Sequence, residues 1–272
     1  MALIDLKVIL ITALIFIPLE RVLSMHSEQK VLRRHWMNDL FYLLYNGILI
    51  KLGMLFVIGV FMAACMAWIP AFIGETIRSQ PLWLESLEAV LIADIGFYFA
   101  HRAFHTIPFL WKFHSVHHSI EEMDWLAAHR VHPLDQILTK SASMLPLFAL
   151  GFSTASIAVF AVIYHWQSLL IHSNTNFKFG PLKWLFASPQ FHHWHHANEK
   201  QAYDKNFAGQ LSIIDMVAGT MYLPGNNATP EKYGTDDPVP TRYDKQFVYP
   251  FLPDKSVVEQ ANAMIESDDQ AA

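Results

Sequence analysis

Histidine is the residue type whose placement carries the most chemistry. Ten of the fifteen fall into three tight clusters and one isolated position, each just beyond a long apolar segment. The clusters read His101-Arg-Ala-Phe-His105, His114-Ser-Val-His117-His118 and His192-His193-Trp-His195-His196, and the isolated position is His172 in His172-Ser173-Asn174. Neutral imidazole is the commonest metal-binding side chain. On a helix, residues four apart share a face with their Cβ atoms about 6 Å apart, so His101 and His105 can chelate one ion. His114, His117 and His118 offer an i, i+3, i+4 spacing, and His192, His195 and His196 repeat it. Ten imidazoles are too many for one ion and suggest two. His193, directly after His192, points off the chelating face. No His-Glu-x-x-His occurs, so the zinc-protease helix is absent. The clusters contain no carboxylate, and a nearly all-nitrogen shell suits iron, zinc, copper or nickel rather than magnesium or calcium. Ligand type alone does not choose among those four.

Other polar groups are candidates for supporting roles. Asp94, Tyr98 and His101 form one helical stripe, and a carboxylate inside an apolar segment is costly unless paired. Asp94 reads either as a polar residue facing a neighbouring helix or as accepting the second N–H of a ligand histidine and fixing its tautomer. Glu121, Glu122 and Asp124 follow the second cluster and are candidates for the same work. His129 and His132 flank Arg130 and are read as supporting or substrate-facing groups, His132 more so. His165 lies seven residues before His172 on the same face and reads as a buried polar contact with ligation as the lesser reading. His26 and His35 lie in a basic loop and read as ordinary surface or packing residues. Trp111, Trp125, Trp166, Trp184 and Trp194 border the clusters, as an interfacial belt or as the lining for a lipid.

The elements that must position these groups are apolar. Hydrophobic residues make up 53% of the 272, charged residues only 16%, and mean hydropathy is +0.24. Spanning a bilayer takes about 20 mostly apolar residues in a helix. Candidate segments are 3–19, 40–73, 82–100 (which carries Glu85, Glu88 and Asp94) and 141–171, which has no Asp, Glu, Lys or Arg and is expected as a helix with a re-entrant turn or as a hairpin broken at Pro146 or Gly151. The loop between the first two segments holds Arg21, Lys30, Arg33 and Arg34, and the next loop only Arg78. By the positive-inside rule the first loop is cytoplasmic, which puts every histidine cluster on that side. The expected fold is all-α: an integral, multi-pass membrane helical bundle of about four hydrophobic segments with a cytoplasmic, histidine-rich helical cap. Residues 1–81 read as membrane helices and a basic loop, 82–224 as the catalytic region, and 225–272 as a polar tail. The N-terminal segment reads as a retained membrane helix. A net charge of −5 without a basic patch argues against nucleic acid. The lone Cys65 excludes an intrachain disulfide and cysteine-ligated iron–sulfur sites.

Taken in order, these motifs resemble the fatty acid hydroxylase/sterol desaturase superfamily of integral membrane non-haem diiron enzymes. The similarity rests on Asp94-x-x-x-Tyr98-x-x-His101-Arg102-x-x-His105, Trp111-x-x-His114-x-x-His117-His118, Arg130-x-His132-Pro133, His172-Ser173-Asn174, Ser188-Pro189-x-x-His192-x-x-His195-His196, and Asn206-Phe207-Ala208-Gly209 leading into Asp215-x-x-x-Gly219-Thr220-x-Tyr222-x-Pro224. The resemblance implies that His101, His105, His114, His117, His118, His172, His192, His195 and His196 hold two iron ions, with O2 as co-substrate. It implies a lipid substrate, sterol-like or fatty acyl, that is hydroxylated or desaturated, and electrons from a separate donor protein. Membrane metal transport and haem binding are the competing readings. The first would place ligands at bilayer depth, and the second would need paired histidines on facing spans, where only His165 lies well inside.

Overall fold

The computed structural model describes residues 6–225 and 228–252; of the polar tail expected over 225–272, the described part carries a short helix with Gln246 buried, and residues from 253 onward lie outside the described residues. Among them the chain is helical without strands, and two isolated antiparallel bridges, Ser24 with Thr175 and Ala197 with Tyr233, are its β pairing. Proline and glycine set the boundaries. The first apolar segment is α1 (Leu6–Val22), which runs through Pro18. The second is not one piece. Helix α2 (Trp36–Cys65) ends, and after Pro70, in an extended conformation, the chain starts again as α3 (Ala71–Arg78). The third, α4 (Leu82–Thr106), continues past the expected end and carries the first histidine pair on its last turns. It stops because Ile107 precedes Pro108 and is held extended. Pro108 then serves as the first residue of α5 (Pro108–His118). The charge-free segment is a hairpin, α6 (Pro133–Leu150) and α7 (Thr154–His172). It turns at Gly151, whose φ of 75° favours glycine, whereas Pro146 stays inside α6.

Helix α4 is the axis of the bundle, packed against α3, α5, α6 and α7. A Cβ at Gly96 would collide with the Ala142 carbonyl of α6, so glycine sets this close approach. Helix α6 leans on α4 and α2, and α7 leans on α4 and on a short 3-10 turn, Ala127–His129. The hairpin arms therefore diverge from Gly151 and leave a wedge between them. Short α8 (Pro189–His195), α9 (Ile213–Ala218) and α10 (Tyr243–Val248) complete the polar end.

Helices α2 and α7 are long and apolar enough to cross a membrane. Burial in α2 runs opposite to that of a helix in water. Its buried residues are Asn38, Asp39, Tyr42 and Asn46, while Leu52, Leu55, Phe56 and Val60 are exposed. An apolar exterior with polar groups turned inward matches a lipid solvent. Asp39 is fully buried and paired with both Arg33 and Arg130, and Arg33 also donates to Asp124 Oδ1 at 2.8 Å. One of the four cations that orient the chain by the positive-inside count is thus neutralised within the protein.

Candidate metal centre

Nine histidines from four helices, α4, α5, α7 and α8 with its C-cap, converge into two groups. His101, His105, His114, His118 and His195 form one, and His117, His172, His192 and His196 the other, with the ligand atoms of each group all within 4.8 Å of one another. The two His-x-x-His-His runs divide in the same way. On α5, His114 and His118, one turn apart, face the first group and His117 the second; at α8, His192 and His196 face the second and His195 the first. Ser188 sets the start of α8 by accepting from the Phe191 N–H at 3.2 Å, with Pro189 as its first residue.

Acceptors outside the groups fix five of the rings. His101 Nδ1 donates to Phe207 O (2.6 Å), His114 Nδ1 to Asp135 Oδ2 (2.7 Å), His117 Nδ1 to Arg130 O (3.0 Å), His172 Nδ1 to Ser168 O (2.7 Å) and His195 Nδ1 to Lys205 O (2.8 Å). With the proton assigned to Nδ1 by these acceptors, Nε2 carries a lone pair. Yet His101 Nε2 lies 2.9 Å from His114 Nε2, and His117 Nε2 lies 3.1 Å from His172 Nε2. Neither contact can be a hydrogen bond between neutral rings so fixed. Lone pairs facing each other at this distance repel unless a cation sits between them. His105 Nε2, His192 Nδ1 and His196 Nδ1 are buried with no protein partner. Burial, reinforced by neighbouring imidazoles, pushes the His114, His117, His118, His192, His195 and His196 rings well below the usual imidazole range, so they are neutral and ready to bind metal. With metal–nitrogen bonds of about 2.1 Å, ligand atoms at right angles sit about 3.0 Å apart, against about 3.4 Å on a tetrahedron. The donor set fits two transition-metal ions.

The supporting residues differ from expectation. Asp94 does not hold a histidine. Its carboxylate accepts the backbone N–H groups of Gly209 (2.9 Å), Gln210 (3.1 Å) and Leu211 (2.7 Å). Asp215 does the same for Phe207 (2.8 Å) and Ala208 (2.7 Å). The two acids shape the loop whose carbonyls at Lys205 and Phe207 orient His195 and His101. Tyr98 meets Thr220 Oγ1 at 3.1 Å rather than a histidine. His132 is occupied at both nitrogens by backbone, accepting from Leu134 N–H (3.2 Å) and donating to Phe247 O (3.0 Å). His193 accepts from Tyr233 Oη (2.7 Å) and donates to Ser173 O (3.0 Å). His165 belongs to neither group. Of the acids after the second cluster, Asp124 pairs with Arg33 and Glu122 accepts from the Arg34 N–H at 2.9 Å. The carboxylate that does hold a ring, Asp135, was missed. It is the acid in the first turn of an apolar helix, two residues after Pro133, and reads from sequence as a helix-start residue.

Two cavities approach the groups from opposite sides. One of about 420 Å³ reaches His105, His118 and His195 past Trp111, whose indole donates to Asp237 at 2.6 Å. The other, about 60 Å³, lies in the wedge between α6 and α7 and touches His101 and His114 of one group and His117, His172 and His192 of the other.

Residues 86–220 match the family model described as fatty acid hydroxylase. An ornithine lipid hydroxylase of Rhizobium tropici is 30% identical over 144 residues, 53% of this chain and 44% of that protein. An alkylglycerol monooxygenase of Homo sapiens is 32% identical over 153 residues, 56% of this chain and 33% of that protein. A very-long-chain aldehyde decarbonylase of Oryza sativa subsp. indica is 28% identical over 164 residues, 54% of this chain and 26% of that protein. The match thus spans less than half the length of each of these relatives. No solved structure matches the chain.

Proposed function

Because residues 86–220 belong to the fatty acid hydroxylase family, we propose that this chain is a membrane-bound lipid hydroxylase built around two iron ions. It places one atom of O2 in a lipid C–H bond and releases the other as water, using two protons and two electrons from a separate donor protein. The observation that carries this reading is the pair of facing Nε2 atoms in each group, His101 with His114 and His117 with His172. His101, His105, His114, His118 and His195 would hold one ion and His117, His172, His192 and His196 the other. When bound, the ions supply the reduction and activation of O2 that no side chain here performs.

The chain's own residues supply orientation and seclusion. Five backbone or carboxylate acceptors keep the ring protons on Nδ1, so every Nε2 they control stays available. Burial of the rings excludes bulk water. The wedge cavity lets a lipid reach both groups from between α6 and α7, and the wider cavity at Trp111 gives polar access from the other side. Helices α1, α2, α4 and the α6–α7 hairpin embed in the bilayer, with the histidines at its cytoplasmic face. Glu85 and Asp94 do not prevent α4 from embedding. Both are buried, Glu85 accepting from Ser153 N–H and Oγ and Asp94 from the loop. The nearby monooxygenase and hydroxylase relatives favour hydroxylation over desaturation.

The test is iron content of the purified protein together with lipid mass spectrometry under isotopically labelled O2. Two irons per chain and one labelled oxygen in a lipid product support the reading. A zinc-loaded protein with no oxygenated lipid overturns it.

A further inference from the structure

The wall of the wedge cavity is mostly apolar, with Phe97, Val131 and Ile171, but a few polar groups are set into it. The cavity holds about 60 Å³, and one water needs about 10–15 Å³ of such space, so it takes a group of only a few heavy atoms. Both histidine groups form one side. Facing them, Gln136, Tyr164, Ser168 and Gln210 bring two carboxamides and two hydroxyls. Gln210 is 2% exposed, and its Oε1 is buried with no hydrogen-bond partner. Its backbone is fully engaged, by Asp94 at the N–H and by Gln167 and Ala187 at the carbonyl. The residue lines the cavity with its backbone fixed, and its buried carboxamide oxygen has no protein partner, a costly arrangement that a ligand donor reaching it would relieve. No Lys or Arg lines the cavity, and its carboxylate, Asp135, is already taken by His114.

We infer that this cavity is a subsite for an uncharged hydrogen-bond donor, a hydroxyl or amide N–H, of an amphiphilic lipid. The donor sits against Gln210, and the carbon that bears it, or that carbon's neighbour, faces both histidine groups. The alkyl tail leaves between α6 and α7. The site of oxidation is then next to the lipid's polar group and not at mid-chain; this last step rests on the hydroxylase reading, while the binding preference does not.

The metal-loaded full chain in detergent micelles is titrated with 1-hexadecanol, N-methylhexadecanamide and hexadecane at equal mole fraction, with the unfolding temperature as readout. The alcohol and the amide are expected to bind at least about tenfold more tightly than the alkane, because a site built to hydrogen-bond rejects an analogue lacking the group. Gln210→Leu is expected to erase that difference while metal content stays unchanged, and Gln210→Met, of similar length, serves where the leucine variant fails to fold. Equal binding of alcohol and alkane by the unaltered protein, or a preference that survives loss of the carboxamide, overturns the subsite. A retained preference with no lipid oxidised leaves the subsite standing and removes the hydroxylase reading. Oxidation at a carbon remote from any hydroxyl or amide removes the subsite alone.

Discussion

His117 and His118 are neighbours in the chain, with ring planes 83° apart, and they face different histidine groups. Adjacent helical residues diverge by about 100°, so one helix can supply rings to two neighbouring centres. Replacing either residue by alanine removes a donor from one group alone. His118→Ala and His117→Ala are each expected to lower bound iron below two per chain and abolish lipid oxidation, with helix content retained. Elemental analysis and circular dichroism of the same preparations check this; two tightly held irons in the double variant would sink the ligand assignment.

Under the proposed ligand assignment, Asp135 would act on the metal through His114. Asp135→Asn keeps the size but loses the charge that favours the Nδ1–H tautomer, and partners of this kind are worth about 10–100-fold in metal affinity or activity. The expected result is weaker retention of one ion during chelator challenge, with the other ion unaffected. Equal loss of both would point to a folding defect.

The buried set Arg33, Asp39, Arg130 and Asp124 is a stability feature. Asp39→Ala leaves two buried guanidinium groups short of a partner, a loss of about 3–5 kcal/mol. Denaturant unfolding in detergent measures it. A change within about 0.5 kcal/mol, the range of ordinary surface substitutions, would show that the pairs are dispensable.

Acid should destabilise the metal-free protein. The α5 and α8 rings have folded-state values depressed by burial below the ordinary 6.5. Below that value the unfolded chain binds more protons than the folded one. Their stability contribution is thus complete above about pH 6.5 and is lost as pH falls toward the depressed values. The unfolding temperature of chelated protein is expected to fall between pH 7 and pH 5, and bound metal to offset part of that fall by competing with protons. A flat profile would argue against neutral, buried rings.

The histidine pattern was legible in the sequence because its spacings are local: i, i+3 and i+4 fall within one or two helical turns. The division into two groups was not, because it depends on how α5 and α8 sit against each other. Asp94 was misassigned for a similar reason. Its burial was predictable from an apolar helix, but its partners, Gly209 to Leu211, lie more than a hundred residues away. The hairpin turn was legible as one of two positions, Pro146 or Gly151, whereas the third segment runs on past its expected end at 100 to Thr106, just before Pro108. The break after Cys65 was hidden because the residues on both sides of it are equally apolar.

Arg130 has a foot in both parts of the molecule. Its guanidinium is tied to Asp39 on α2, whose outer surface is exposed hydrocarbon, and its carbonyl sets the rotation of His117. Under the proposed function, a shift of α2 within the bilayer would reach the His117 ring through this residue, alongside the Asn46 bond to the Val131 carbonyl.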